Sequence, residues 1–99
     1  KIKENTVIRF RTHIKIDQVD SFTFYTRSDD GSKLLINGKL IVDNDGDHGV
    51  REKEGKIDLK EGMHQLEVLW FNGGGDGWLD VYIESANMPK QILPTTMLQ

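Results

Sequence analysis

A chain of 99 residues carrying 16 acidic and 13 basic side chains, a formal charge of -3 and no cysteine has room for one core without a comfortable margin, and for no disulfide or thiolate metal site. Its basic residues form no stripe and its net field is negative, which excludes nucleic acid and anionic lipid as electrostatically drawn partners. No apolar run approaches the ~20 residues of a membrane-spanning helix, no secretory signal pattern opens the chain, and the opening residue is Lys1 rather than methionine, as expected of a fragment of a larger protein.

Period-two alternation organises the sequence. In VIRFRTHIKI (7–16), Ile8, Phe10, Ile14 and Ile16 share one parity while Arg9, Arg11, His13 and Lys15 take the other, which predicts a half-buried strand. SFTFYTR (21–27) predicts a second strand from its aromatic and β-branched content. KLLINGKLIVD (33–43) predicts a hairpin, with Asn37 and Gly38 supplying the two positive-φ positions of a type I′ turn. GKIDLKEG (55–62) reads as a short strand ended by a turn. MHQLEVLWFN (63–72) alternates with Leu66, Val68 and Trp70 on the core side, and WLDVYIES (78–85) with Leu79, Val81 and Ile83. Nothing keeps a helical period over three turns. Short strands with turn signals roughly every eight to twelve residues predict an all-β domain, an antiparallel β-sandwich or barrel. Phe10, Phe22, Phe24 and Trp70 are read as core, and His13 as a surface residue.

Three acidic, glycine-bearing loops follow predicted strands: SDDGS (28–32), DNDGDHG (43–49) and NGGGDG (72–77). Asp43, Asp45, Asp47 and Glu54 stand at positions one, three, five and twelve of an EF-hand loop. His48, however, occupies the place of the glycine that makes the sharp turn, and the flanks read as strand, so the EF-hand is rejected; Asp45 and Asp47 remain a second choice for a cation. The first loop poses a sharper question. Neighbouring residues of a regular strand point to opposite faces, so Asp29 and Asp30 share one ligand only if the backbone turns between them. A Ca²⁺ ion would remove their repulsion, since it takes six to eight oxygen ligands at ~2.3–2.6 Å. Asn72 offers a side-chain oxygen, and the glycines after it free backbone carbonyls to turn inward. Turn formation by Asp, Asn and Gly accounts for the same residues, and residue chemistry alone leaves both readings open.

FTFYTRSDDGSKLLINGKLIVDNDGDHG (22–49), GKIDLKEGMHQLEVLWFNGGGDGWLDVYIES (55–85) and MPKQILPTTML (88–98) together resemble the family named after the N-terminal domain of anthrax protective antigen, the PA-fourteen domain. The elements recur in order: Tyr-Thr-x-Ser-Asp-Asp-Gly-Ser, the Asn-Gly hairpin, Asp-Asn-Asp-Gly-x-His-Gly and the closing Pro-Lys-Gln. The resemblance implies a β-sandwich or barrel of the kind found in bacterial toxins, carbohydrate-active enzymes and yeast adhesins, here without the glycine-rich, aromatic strand that usually opens the family. In its sugar-binding adhesins, two consecutive aspartates joined by a cis peptide hold Ca²⁺, which binds vicinal sugar hydroxyls, and an asparagine with main-chain carbonyls completes the site. By position the resemblance implies Asp29, Asp30 and Asn72 as metal ligands, with carbonyls near Gly74 and Asp76. Asp29, Asp30, His48 and Trp78 would face the sugar. For Trp78, an exposed platform and a core position opening the last strand fit the sequence equally.

The expected function is therefore a non-catalytic, Ca²⁺-dependent carbohydrate-binding module. The alternative is a structural spacer with no sugar of its own. The tail and DNDGDHG look most like segments appended to bacterial glycan-degrading enzymes such as β-hexosaminidases, which implies a glycan and a catalytic domain of the same polypeptide as partners. An extracellular, periplasmic or cell-surface setting supplies millimolar Ca²⁺. Catalysis by this chain is not expected: its histidines lie on separate segments with no nucleophile–base spacing, and sequence-adjacent carboxylates do not flank a glycosidic bond.

Overall fold

A computed structural model describes residues 6–45, 50–72 and 77–99. Eight strands run in chain order: β1 (Thr6–Ile16), β2 (Asp20–Asp29), β3 (Ser32–Ile36), β4 (Lys39–Asn44), β5 (Arg51–Leu59), β6 (Gly62–Asn72), β7 (Trp78–Ser85) and β8 (Met88–Ile92), with a 3₁₀ turn at Thr95–Met97. They form two antiparallel sheets, one in the order β1-β6-β3-β4 and the other β5-β2-β7-β8. The alternating residues of both sheets meet in one core built from Ile14, Ile16, Phe22, Phe24, Leu34, Ile36, Val42, Leu59, Leu66, Val68 and Ile83. Each such side chain contributes about 1.5–3 kcal/mol by leaving water.

The hairpin forms as its sequence dictates. Asn37 and Gly38 have φ of 52° and 83°, the left-handed conformations that a two-residue turn between twisted strands requires. The tip is also tied to β6. Asn37 N–H donates to the Gln65 carbonyl at 2.9 Å, and Gln65 N–H donates back to Asn37 Oδ1 at 2.9 Å. His64 Nε2 lies 2.7 Å from the Lys60 carbonyl and therefore donates to it, so Nδ1 accepts the Asn37 side-chain amide at 2.9 Å.

Four sequence expectations need correction. Phe10 has the core parity but is 50% exposed, because β1 is an edge strand and an open cleft separates it there from Leu79, Val81 and Ile92 of the facing sheet. Trp70 is half-buried and points its Nε1–H at the Asp29 carbonyl, 3.2 Å away. β5 begins at Arg51, four residues before the predicted strand, and the tail contributes β8. Pro89 lies within β8, where its missing N–H is harmless because β8 is a sheet edge.

On the outer face of the second sheet, the Tyr25 hydroxyl donates to Glu84 Oε1, and Lys90 Nζ lies 4.2 Å from the Tyr25 ring centroid. The hydrogen bond to Glu84, burial, and the negative charge of Glu84, Glu54 and Glu52 push the phenol up from 10.0 to about 12. The unfolded chain releases this proton at lower pH than the folded one. The contribution is thus complete below pH 10 and is lost as pH rises toward 12. Denaturant melts of the native chain are expected to weaken over that interval more steeply than those of Tyr25→Phe, and parallel curves would contradict the assignment.

Candidate functional site

Along β2 the inward parity changes character. Phe22 and Phe24 are followed by Thr26 and Ser28, both fully buried, and Ser32 and Asn44 join them. Ser28 Oγ lies 2.7 Å from Ser32 Oγ, and Ser32 Oγ donates to Thr26 Oγ1 at 2.9 Å. The Asn44 amide donates to Arg51 O at 2.7 Å, Thr26 O at 3.2 Å and Ser28 Oγ at 3.3 Å, while Arg51 Nε donates to Asn44 Oδ1 at 3.0 Å. One end of the sandwich interior is thus a hydrogen-bonded polar plug under the Asp29–Asp30 loop. Among the described residues no buried side-chain polar atom is left unpaired. Sequence reasoning missed this plug; its signal is the parity Phe22-x-Phe24-x-Thr26-x-Ser28. Asn44→Ala strands several of these groups and is expected to cost about 2 kcal/mol, lowering the melting temperature by roughly 10 °C. Calorimetry of the variant measures this directly.

Above the plug, the Asp29–Asp30 peptide is cis, as the family resemblance implies, and both residues are half-buried. The loop is held against the end of β6. Phe71 N–H donates to the Gly31 carbonyl at 2.8 Å, Trp70 Nε1–H donates to the Asp29 carbonyl, and Ser32 pairs with Trp70. From the other side, Trp78 at the start of β7 is the register partner of Asp29. The ends of β2 and β6 and the start of β7 therefore converge, and with them the paired aspartates, the Asn72 backbone and Trp78.

Trp78 is 48% exposed, so of the two positions the sequence allows it takes the exposed one and not the core one. Its Nε1–H donates to Asp80 Oδ2 at 3.0 Å, and the Arg27 guanidinium lies 5.9 Å from its ring centroid; the ring is held in place while staying open to solvent. Among the described residues no three His, Cys, Asp or Glu side chains converge as a metal-binding group. His48, Gly74, Asp76 and Asp47 lie outside the described residues, as does the side chain of Asn72. Asp45 is engaged elsewhere: its carboxylate is 3.8 Å from Lys33 Nζ, and its carbonyl accepts from Arg51 Nη2 at 2.7 Å. His13 is exposed on β1 and His64 braces the hairpin, so neither takes part.

The fold recurs in solved structures. An anti-sigma factor domain-containing protein from Clostridium clariflavum superposes with a TM-score of 0.87 at 31% identity, over 94% of this chain and 32% of that one. A PA14 sugar-binding domain from an RTX adhesin matches with a TM-score of 0.84 at 20% identity, over 96% of this chain and 54% of that one. Among curated proteins, anti-sigma-I factor RsgI3 of Acetivibrio thermocellus is 29% identical over 93 residues, 92% of this chain. The chain spans only 14% of that relative's length. No helix among the described residues is long and apolar enough to cross a membrane. The PA14 domain family model matches residues 1–95, and with the two-sheet architecture and the Tyr-Thr-x-Ser-Asp-Asp-Gly-Ser segment in place, the chain belongs to the PA14 domain family.

Proposed function

We propose that this domain is a non-catalytic carbohydrate-binding module in which Asp29 and Asp30, with Asn72 and main-chain carbonyls near Gly74 and Asp76, hold a Ca²⁺ ion. Asp29, Asp30, His48 and Trp78 contact the sugar. The observation that carries this reading is the convergence of the adjacent, half-buried aspartates with an exposed, braced indole at one end of the sandwich. Half-buried carboxylate oxygens are the hard donors that Ca²⁺ takes, so the donor chemistry fits the ion. When bound, the ion supplies coordination positions for vicinal sugar hydroxyls. The protein's own part is to fix the two carboxylates over a rigid polar plug, accept hydroxyl hydrogen bonds through them, and offer the Trp78 ring as an apolar face. Sugar recognition by an adhesin domain of the same architecture supports this reading.

The role is accessory. Two carboxylates that act on a glycosidic bond face each other across the sugar, ~5–5.5 or ~6.5–9.5 Å apart; Asp29 and Asp30 are neighbours on one rim. Within a longer polypeptide the domain would present a glycan to a catalytic or signalling part, in an extracellular, periplasmic or cell-surface setting. The test is a melting curve in EDTA and across a Ca²⁺ titration, followed by a glycan array with and without metal. A Ca²⁺-specific rise and metal-dependent glycan retention are expected. A rise without retention would reduce the domain to a metal-stabilised spacer, and no rise would remove the metal as well.

A further inference from the structure

The outer face of the second sheet carries a row of cross-strand pairs that starts at the aspartate rim. β2 and β7 are the inner strands of that sheet, each paired on both sides, so this face is independent of how either sheet edge is continued. Their outward residues stand opposite one another in register: Asp29 with Trp78, Arg27 with Asp80, and Tyr25 with Tyr82. Successive pairs are two residues apart along the strand, an advance of roughly 6.6 Å, about the length of one pyranose unit.

The third pair is closed. Lys90 Nζ lies 4.2 Å and 5.2 Å from the ring centroids of Tyr25 and Tyr82 and is bonded to Glu52 Oε2 at 2.8 Å. The second pair is open. Arg27 is exposed and stands in register between Glu52 and Asp80, yet both carboxylates are engaged elsewhere. Glu52 holds Lys90, and Asp80 Oδ2 accepts from Trp78 Nε1–H at 3.0 Å and from the Tyr82 hydroxyl at 3.5 Å. Among the described residues no ion pair takes the Arg27 guanidinium, which lies near the Trp78 ring. Its fork carries five N–H donors, and Asp80 keeps Oδ1 as an acceptor beside it. Donors, an acceptor and an exposed indole side by side match a polyhydroxylated ring, whose hydroxyls bond to charged groups while its apolar face meets an aromatic one.

We propose that Arg27 and Asp80 form a second sugar subsite, so that the domain recognises a linear oligosaccharide through two consecutive units rather than a lone terminal sugar. The inference rests on the sugar-binding reading above and adds its length. One unit sits at Asp29 and Asp30 with Trp78 at its side, and the next lies over Arg27 and Asp80. Lys90 closes the row where a third would lie. Arg27 donates to hydroxyl oxygens of the second unit, and Asp80 accepts from its hydroxyls.

The test is retention, in Ca²⁺, on an array carrying glucose, galactose, mannose and xylose, each as monosaccharide, disaccharide and tetrasaccharide, followed by solution titration of the series retained. The disaccharide is expected to bind about tenfold more tightly than its monosaccharide, and the tetrasaccharide no more tightly than the disaccharide. Arg27→Gln is expected to remove the disaccharide gain, and its melting curve, matching that of the parent, reports that it is folded. Equal binding of monosaccharide and disaccharide, a gain that persists in Arg27→Gln, or a gain that keeps growing with chain length would each overturn the second subsite and leave the first in place. Retention of no sugar of any length would remove the sugar-binding reading and this inference with it.

Discussion

Gly55→Ala is expected to destabilise the domain by roughly 3 kcal/mol or more, at or beyond the upper end of ordinary overpacking. Gly55 lies in β5 opposite Phe24, where that strand passes against β4 of the other sheet. A Cβ built there falls 1.8 Å from the Ile41 carbonyl oxygen and 2.7 Å from its carbon. Those are backbone atoms, so no rotamer change relieves the overlap; the two sheets must separate at this corner. Against a total stability of about 5–15 kcal/mol for a single domain, the variant is expected to melt about 12 °C lower or more, at roughly 4–8 °C per kcal/mol, or to show no cooperative transition. Lys56→Ala, at the exposed neighbouring position, is the control and is expected to stay within about 0.5 kcal/mol of the parent. Equal stability of Gly55→Ala and the parent would show that the β4–β5 corner is looser than described.

Asp30→Ala is expected to abolish the Ca²⁺-dependent part of the melting temperature, and Asp45→Ala to leave it nearly intact. Ligand at ~100 times its dissociation constant adds about 2.7 kcal/mol to a native state that alone binds it. For a domain of this size that corresponds to more than 10 °C. Asp30 sits on the rim where β2, β6 and β7 converge. Asp45 directly follows β4, facing Lys33 and held through its carbonyl by Arg51. Calorimetric titration of both variants separates the two loops. Equal losses would move the ion to the segment around residues 43–49, and with it the sugar site.

The strands and their inward faces were largely legible in the sequence because period-two alternation reports burial directly. The Asn37-Gly38 turn was legible because few residue pairs accept two positive φ values. Alternation says which way a side chain points, but not whether anything covers it. That is why Phe10 has the core parity and still meets solvent on an edge strand. β8 was hidden because five residues containing a proline carry no strand signature, and only its place at the sheet edge makes it admissible. The paired aspartates were legible as a motif. The support beneath them was not: Asn44 lies in an Asp-Asn-Asp run that reads as a turn, yet its amide is buried between the sheets, bonded to Thr26, Ser28 and Arg51. Hydrogen-bond satisfaction depends on three strands meeting, and no local pattern encodes it.

The order of strands also constrains how the chain reaches this structure. Among the described strands β1 pairs with β6, and β2 lies between β5 and β7, so neither of the first two strands meets a sheet neighbour before Arg51, past the midpoint of the chain. Loop closure over such separations must precede the contacts that reward it, and topologies of this kind fold in milliseconds to seconds rather than microseconds. During synthesis on a ribosome, the apolar faces of β1 and β2 would wait as unpaired edges while β3 and β4 close their local hairpin. The arginines and lysine that alternate along β1 are therefore well placed to act as gatekeepers of the nascent chain, keeping that edge from pairing with another before β6 arrives.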